Sequence, residues 1–586
     1  MVRADKGKLR KIWGFDSEFL TSGRAGHPED VQTVQFSDGE RSWVLESPED
    51  LKKWIVNHRK IHTIYGFVCL PDLGSLWEWL GAKHVQIKRR GIQTTGWIKY
   101  AGANIYAVDA RPLLAGFGLR RLADCGAMIG VPKRLKPDWL GIRKWQSESE
   151  YKEFIEYAKA DAIITSRIVK WLIDNYNADP RKYISAGTLA GHYFHFPRRL
   201  KVVKEDGYGK PRLSLIERWI KNYTFAGRSE GFITGYTPNV IYNDVASLYP
   251  CSIVATRAMQ ISGVKPCEFK ELTVDSDLSE TRYGWVDGTF RSDNDLWGLP
   301  VRGERNYFMT GELSGIYSTF DLAAAKGELL HVKQCYKPIM RDDPTEHNKY
   351  ADMLMRKLEG KYNPKEKGYY KAILNATSGK LGQSHPISEK SNFLAYNILL
   401  GHSHLIMSKL FDKCKADVIA MDTDSIFSQH DMSGTWFECS DGERNIPIRM
   451  DVKGRGDLAF FRSKRYIMQG EKPCYGRHGW RYFLADYLKL FNGDLTELDT
   501  RKDVKATLFT HEKAALKMTK GRWRTRPEHL DLERIKHLLR ADMKRKRTDY
   551  DSYSLVMQKK NIRSQAWNFN KYMSTAEYDI LGIIPE

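Results

Sequence analysis

The segment "DVIAMDTDSIF" (417–427) constrains this chain more than any other stretch. Val418, Ile419 and Ala420 read as the buried end of a strand, and Asp422 and Asp424 follow one residue apart. Side chains alternate along a strand, so both carboxylates point to one side. Ionised carboxylates at the end of an apolar run are costly unless a cation meets them. The fold must therefore carry this strand end to a place that a cation can reach. The pattern recurs in "KIWGFDSEF" (11–19), where Asp16 and Glu18 share one face amid Ile12, Trp13, Phe15 and Phe19. It recurs again in "NVIYNDVASLYPCSIVATRAM" (239–259), where Val240, Tyr242 and Asp244 share a strand face. A turn follows there, and Pro250 suits the opening of a helix.

Further acids fall on recognisable elements. "VQTVQFSDGERSWVL" (31–45) reads as two strands joined at Asp38-Gly39, a hairpin signal. "IHTIYGFVCLPDLGSL" (61–76) reads as a strand ending near Asp72. Residues 147–176 read as a helix capped by Ser147 or Ser149, with acids in its first turn. Phe154, Ala158, Asp161, Thr165, Ile168 and Leu172 recur at spacings of three or four, so Asp161 lies in the buried stripe with Tyr157 one turn before it. Four acids around one point (Asp16, Glu18, Asp72 and Asp161) suit two divalent metals acting on a phosphodiester. Asp244 supplies a third acid for the pair Asp422 and Asp424. "NPKEKGYYKAILNATSGKLGQ" (363–383) reads as a helix starting after Pro364, with Lys367, Lys371 and Asn375 on one polar face. Beside a three-carboxylate site, such lysines suit a triphosphate. Gly379 leaves room for a ligand to approach the backbone.

Charge points the same way. The formal net charge of +21 implies a polyanionic partner, nucleic acid first. The 586 residues suit two to four domains, each with its own core. Cysteines 69, 125, 251, 267, 335, 414, 439 and 474 form no CxxC pair, which argues against a zinc ribbon, and a reducing compartment fits them. No run of about 18 apolar residues predicts a membrane span, and no apolar signal core precedes the first strand. Near the end, "KMTKGRWRTRP" (517–527) alternates Arg522, Arg524 and Arg526 along one side of an extended segment, and 528–547 reads as an amphipathic helix. Such residues grip duplex phosphates without reading sequence.

In order and wording, these segments resemble family-B DNA polymerases with a proofreading exonuclease. "FDSEF", "LPDLGSL" and "YAKAD" resemble the three exonuclease motifs, the last being Y-x-x-x-D. "DVASLYP" matches D-x-x-S-L-Y-P, "KAILNATSGK" resembles K-x-x-x-N-S-x-Y-G, and "MDTDSIF" resembles Y-x-D-T-D-S. "SKRYIM" (463–468) adds the family's K-x-Y with Lys464 and Tyr466. The early position of Asp16 is most similar to the protein-primed polymerases of phages, viruses and linear plasmids.

The resemblance implies an α/β and α+β multidomain fold, with a ribonuclease-H-like 3′–5′ exonuclease domain (1–185) ahead of a polymerase domain (186–586). Within the latter it implies a palm at about 186–260 and 386–470, an insertion at 261–355, fingers at 356–385 and a thumb at 471–586. The catalytic set is Asp244, Asp422 and Asp424 for synthesis, and Asp16, Glu18, Asp72, Tyr157 and Asp161 for trimming. Metal ligands are Asp244 and Asp424 in one site, and Asp16, Glu18, Asp72 and Asp161 in the other. Two Mg²⁺ or Mn²⁺ ions per active site are expected, because oxygen ligands and a phosphate substrate suit them. Tyr249, Lys367, Lys371 and Asn375 are expected on the incoming dNTP. Lys464, Tyr466, Arg522, Arg524 and Arg526 are expected on DNA. The implied partners are primer-template DNA, single-stranded DNA at the exonuclease site, dNTPs and a terminal protein primer. A monomer without a membrane, in the host-cell cytoplasm, is the expected setting.

The sequence departs from the family at five points. Val68 stands four residues before Asp72, where the second exonuclease motif has Asn. Ala376 and Ser378 replace Ser and Tyr of the second polymerase motif, and Met421 replaces the Tyr of the third. The linker motif Y-x-G-G/A is only loosely matched by "TFAGRSE" (224–230), and 380–421 is short for the insertion that relatives carry there. The alternatives are a DNA-binding replication factor, or a nuclease, that keeps the fold with weak or no polymerisation.

Overall fold

The computed structural model describes residues 11–19, 31–81, 83–90, 93–140, 142–194, 203–204, 211–212, 214–231, 235–274, 282–292, 297–302, 306–361, 366–383, 391–414, 418–462, 465–470, 474–475, 498–501, 534–537, 545–547 and 564–566. Lys464, Arg522, Arg524 and Arg526 lie outside them, as does most of the expected thumb. The described residues group into two compact units. One takes in the chain to His192, the stretch 363–373 around the start of helix 367–381, and 501–534; the other is built from the rest.

The first unit holds β1 (Trp13–Phe19), β2 (Val31–Ser37), β3 (Ser42–Leu45), α1 (Pro48–Asn57), β4 (Thr63–Gly66), α2 (Cys69–Leu80), β5 (Val85–Arg90), β6 (Gln93–Tyr100), β7 (Ala103–Asp109), α3 (Arg111–Gly116), α4 (Leu122–Ile129) and α5 (Glu148–Tyr176). Its sheet runs β3-β2-β1-β4-β7-β6-β5, parallel across β1–β4 and β4–β7 and antiparallel elsewhere. The hairpin at Asp38-Gly39 forms as expected. Gly39 takes φ 90°, and the Asp38 carboxylate accepts from the N–H groups of Glu40 and Arg41. Alternation along β1 divides its packing. Trp13 and Phe15 join a core with Leu51 and Trp54 of α1 and Leu73 of α2. Gly14 faces the other way, onto α5, where a Cβ would lie 2.2 Å from the Ala162 carbonyl oxygen. Only glycine lets α5 lie that close to β1. The helix itself starts as read, with Ser147 accepting from the Glu150 N–H at 3.2 Å, and its predicted stripe from Phe154 to Leu172 is buried.

One expectation fails here. Asp72 is not at a strand end: β4 stops at Gly66, and Asp72 lies in the first turn of α2. Val68 takes a left-handed conformation (φ 64°, ψ 52°) that ends the extended chain, and Asp109 fixes it by accepting its N–H at 3.2 Å. A short apolar run reads equally as strand or buried helix, and Pro71 is tolerated so early in a helix because the first N–H groups have no intrahelical partner.

The chain continues through α6 (Ala186–Tyr193), the short pair β8 (Val203–Lys204) and β9 (Pro211–Arg212), and α7 (Leu215–Asn222). The second unit then adds β10 (Ser229–Gly231), β11 (Gly235–Val245), α8 (Leu248–Ala255), β12 (Ile261–Cys267), β13 (Trp285–Ser292), β14 (Leu299–Arg302), β15 (Asn306–Met309), β16 (Gly311–Ser318), α9 (Thr319–Ala325), β17 (Glu328–Met340), α10 (Thr345–Leu358), the part of α11 (Lys367–Leu381) after Ile373, α12 (Phe393–Cys414), β18 (Val418–Asp422), β19 (Ser425–Ser428), β20 (Gly434–Ser440), β21 (Asn445–Arg462) and β22 (Arg465–Gly470). Its main sheet is antiparallel, in the order β10-β18-β19-β11-β21-β22, with β20 on β21. Val240, Ile419, Phe427, Leu458 and Met468 fill one core on it. A separate sheet, β12-β17-β13-β16, occupies the segment between the first two polymerase-like motifs. Most of the short span before β18 is the single helix α12. Arg534–His537 and Arg545–Arg547, inside the stretch expected to be one helix, are instead short strands, the first paired with Leu498–Arg501 and the second antiparallel with Ser564–Ala566.

Candidate active sites

In the first unit, Asp16 and Glu18 extend from the β1 face that Gly14 opens to α5. That approach brings Asp161 of α5 to them: carboxylate oxygens of Asp16, Glu18 and Asp161 lie within 4.8 Å of one another. Asp72 comes in from α2. Its Oδ1 accepts from the Ser17 backbone N–H at 3.1 Å and the Ser17 hydroxyl at 2.9 Å. The buried Asp72 Oδ2 and Asp161 Oδ1 have no hydrogen-bond partner among the described residues. Burial pushes all four carboxyls above their usual range, and for Asp16, Glu18 and Asp72 the neighbouring acids push them further. Glu18 is pushed up to about 8. Asp16 and Glu18 are partly open at the surface yet set deep in the unit.

One cation answers them directly. Lys133 Nζ donates to Asp161 Oδ2 at 2.7 Å and stands 5.5 Å over the ring of Tyr157. Burial and the nearby acids hold the Tyr157 phenol in its protonated form. Lys133 was missed in the sequence, where it is one lysine of the basic run "VPKRLK". Asp109 was missed too. It is buried at the end of β7, pushed up to about 6 by that burial, and it orders the Val68 turn while accepting the Arg111 N–H at 2.9 Å.

In the second unit, Asp244 ends β11 and Asp422 ends β18, with β19 between the two strands. The Val245 N–H donates to the Asp424 carbonyl at 2.7 Å, so Asp424 stands beside the same strand end. Here the acids already have partners. Ser425 donates to Asp244 Oδ1 at 3.1 Å, and Lys453 Nζ lies 3.5 Å from Asp244 Oδ2 and 3.1 Å from Asp451 Oδ2. Burial raises the Asp244 carboxyl, and Lys453 opposes the rise. Tyr466, expected at the primer end, donates to Asp422 Oδ2 at 3.1 Å. Among the described residues, the first unit holds the one group of three acids drawn within 4.8 Å. Asp451, Lys453 and Lys357 escaped the sequence reading because each sits in a segment with no motif. Lys357 donates to the Ser247 hydroxyl at 2.5 Å, at the left-handed turn (φ 66°) that opens α8.

Tyr249 lies in the first turn of α8, half-buried, with its hydroxyl accepting from the Gly227 N–H and the charges of Asp424 and Asp422 nearby. Lys371 and Asn375 are exposed on α11; of Lys367 the structure describes only the backbone. Ser378 is buried and donates to the Asn375 carbonyl at 2.8 Å, and Met421 is fully buried in β18.

A mixed α/β chain of this architecture has the fold of a DNA polymerase, as the motifs had implied. The similarity is to Phi29 DNA polymerase. Its complex with primer-template DNA matches at TM-score 0.54 and 13% identity, over 80% of this chain and 90% of that one. Its ternary complex with primer-template DNA and incoming nucleotides matches at 0.54 and 14%, and its complex with single-stranded DNA at 0.50 and 14%, each with the same coverage. No family model and no curated protein sequence matches the chain. Among the described residues, no helix is long and apolar enough to cross a membrane.

Proposed function

We propose that the chain is a template-directed DNA polymerase with a 3′–5′ proofreading exonuclease, and that it copies a viral, phage or plasmid genome from a protein primer. The observation that carries this reading is the DNA polymerase fold, with a tight acid cluster in the first unit and Asp244, Asp422 and Asp424 at adjoining strand ends in the second. Residues 1–185 are assigned to the exonuclease and 186–586 to palm, fingers and thumb, with the sheet within 261–355 as the insertion that meets the terminal protein.

The first cluster fits divalent metals, because buried carboxylate oxygens are left over and the carboxyls are raised by burial and crowding. Two Mg²⁺ or Mn²⁺ ions, held by Asp16, Glu18, Asp72 and Asp161 there and by Asp244 and Asp424 in the second unit, would supply charge to the attacking and leaving oxygens of phosphoryl transfer. The side chains do the rest. Tyr157 keeps a proton to donate to the scissile phosphate, and Lys133 steadies Asp161 while adding positive charge. In the polymerase site Tyr466 fixes Asp422, and Tyr249 lies under the incoming sugar. Lys357, Lys367, Lys371 and Asn375 serve the triphosphate. Lys464 holds the primer terminus, and Arg522, Arg524 and Arg526 hold duplex phosphates.

The deciding assay is extension of a labelled primer on a template with Mg²⁺ and dNTPs. Synthesis together with 3′ trimming supports the reading. Trimming alone makes the chain a nuclease, and binding without either reaction makes it a replication factor.

A further inference from the structure

Helix α12 buries polar groups where a packing helix would place leucine. Asn397, Gly401, His404 and Ser408 follow at spacings of four, three and four, which is one helix face. Asn397 and His404 are 3% and 2% exposed. Buried polar groups are costly unless partnered, and the partners of these two converge on one short loop. Asn397 Nδ2 donates to the Tyr223 carbonyl at 3.1 Å and the Thr224 hydroxyl at 3.2 Å, while Asn397 Oδ1 accepts from Trp285 at 2.8 Å. The His404 ring bridges Asp321 Oδ1, at 2.7 Å from Nδ1, and the Ala226 carbonyl, at 3.2 Å from Nε2. Asp321 is set in turn by the Ser318 hydroxyl at 2.6 Å. Gly401 is required at this contact, since a Cβ there would lie 2.2 Å from Ser318 Oγ.

The far side of the same loop meets the polymerase site. The Gly227 N–H donates to the Tyr249 hydroxyl, and the Arg228 carbonyl accepts the Thr423 N–H at 2.7 Å. Thr423, between Asp422 and Asp424, is held left-handed at φ 67°. A Cβ on Gly227 would sit 2.8 Å from Thr423 Cγ2 and 3.2 Å from the Tyr249 hydroxyl oxygen. The loop is therefore a thin spacer between a buried polar anchor and both elements that shape the nucleotide site.

We infer that Asn397 and His404 are positioning residues for nucleotide selection: through loop 223–228 they set the height of Tyr249 and the turn at Thr423, and so the discrimination between deoxyribose and ribose. This rests on the polymerase reading above. A polar network serving stability alone would not need to end on the Tyr249 hydroxyl and on the turn between two acids.

The test uses the full chain as wild type, His404→Gln, Asn397→Ser as the milder variant, and Ile446→Ala as a core control in the β20–β21 hairpin. Two readouts are taken: KM and kcat for insertion of a matched dNTP and rNTP, and amide exchange over 224–228 and 422–425. In His404→Gln the dNTP preference should fall on the order of tenfold, mostly through KM, because small misplacements at a reacting centre are strongly felt. Exchange at both segments should quicken. Asn397→Ser should move both readouts the same way by less, and it stands in should His404→Gln not fold. Ile446→Ala, compared at matched loss of Tm, should move neither. An unchanged preference with unchanged exchange in the folded variants overturns the inference, as does an equal change in the control. If wild type inserts no nucleotide, the polymerase reading falls and exchange alone decides the positioning: quickened exchange upholds it, unchanged exchange refutes it.

Discussion

Replacing Val68 by Asn should stabilise the first unit. Val68 is β-branched and sits at φ 64°, ψ 52°, where Cβ crowds the following carbonyl. An L-residue there costs roughly 1–2 kcal/mol, and Asn bears it best among the non-glycine residues. Val68 is half-buried, so losing its methyl groups offsets part of the relief. Its N–H bond to Asp109 is a backbone contact and survives the change. The net gain should be about 0.5–1 kcal/mol, a rise in Tm of roughly 1–4 °C for a unit of this size. Val68→Gly relieves the same strain but gives the unfolded chain more freedom, about 0.5–1 kcal/mol, and should land near wild type. Calorimetry on the three proteins in EDTA would order them as Asn highest, with Gly and wild type together. The strain argument is refuted if Val68→Asn melts below wild type. Trimming should persist in Val68→Asn, because Asp72 keeps its bonds to Ser17.

Four further outcomes follow from the two sites. Asp16→Ala with Glu18→Ala should abolish 3′ trimming and leave primer extension, and Asp424→Ala should do the reverse; loss of both activities in a folded variant contradicts two independent sites. Without metal, stability should fall as pH rises. The raised carboxyls favour the protonated fold below the ordinary carboxylate range, and that contribution is lost on passing to about 8, the value for Glu18. Mg²⁺ should restore Tm at pH 8 more than at pH 5, and melting curves in EDTA that do not change over this range would count against the cluster. Tyr249→Val should admit ribonucleotides while dNTP insertion continues, a shift on the order of a few hundredfold for a clash of about 3–4 kcal/mol; an unchanged ratio in an active variant sinks the assignment. With only α12 filling most of the span between the second and third polymerase-like motifs, strand displacement should be weak, and kilobase products through a duplex block from one binding event would refute that.

Sequence alone determined whatever local chemistry dictates. Alternation placed Asp16 with Glu18, the stripe at three and four placed Asp161 inside α5, Asp38-Gly39 marked its hairpin, and the motif order implied the fold of a DNA polymerase. Those signals lie within a few residues of one another, where strand and helix periods are decisive. Tertiary structure decided what depends on distant partners. That Asp72 rides on a helix follows from the Val68 turn, which Asp109 holds from 41 residues away. Lys133, one lysine in a basic run, becomes the partner of Asp161 only because Gly14 lets α5 lie against β1. Lys453 and Tyr466 reach Asp244 and Asp422 across the sheet from strands that carry no acid motif of their own. The polar face of α12 carries no motif at all. Its meaning lies in a loop some 170 residues earlier in the chain, and only folding brings the two together.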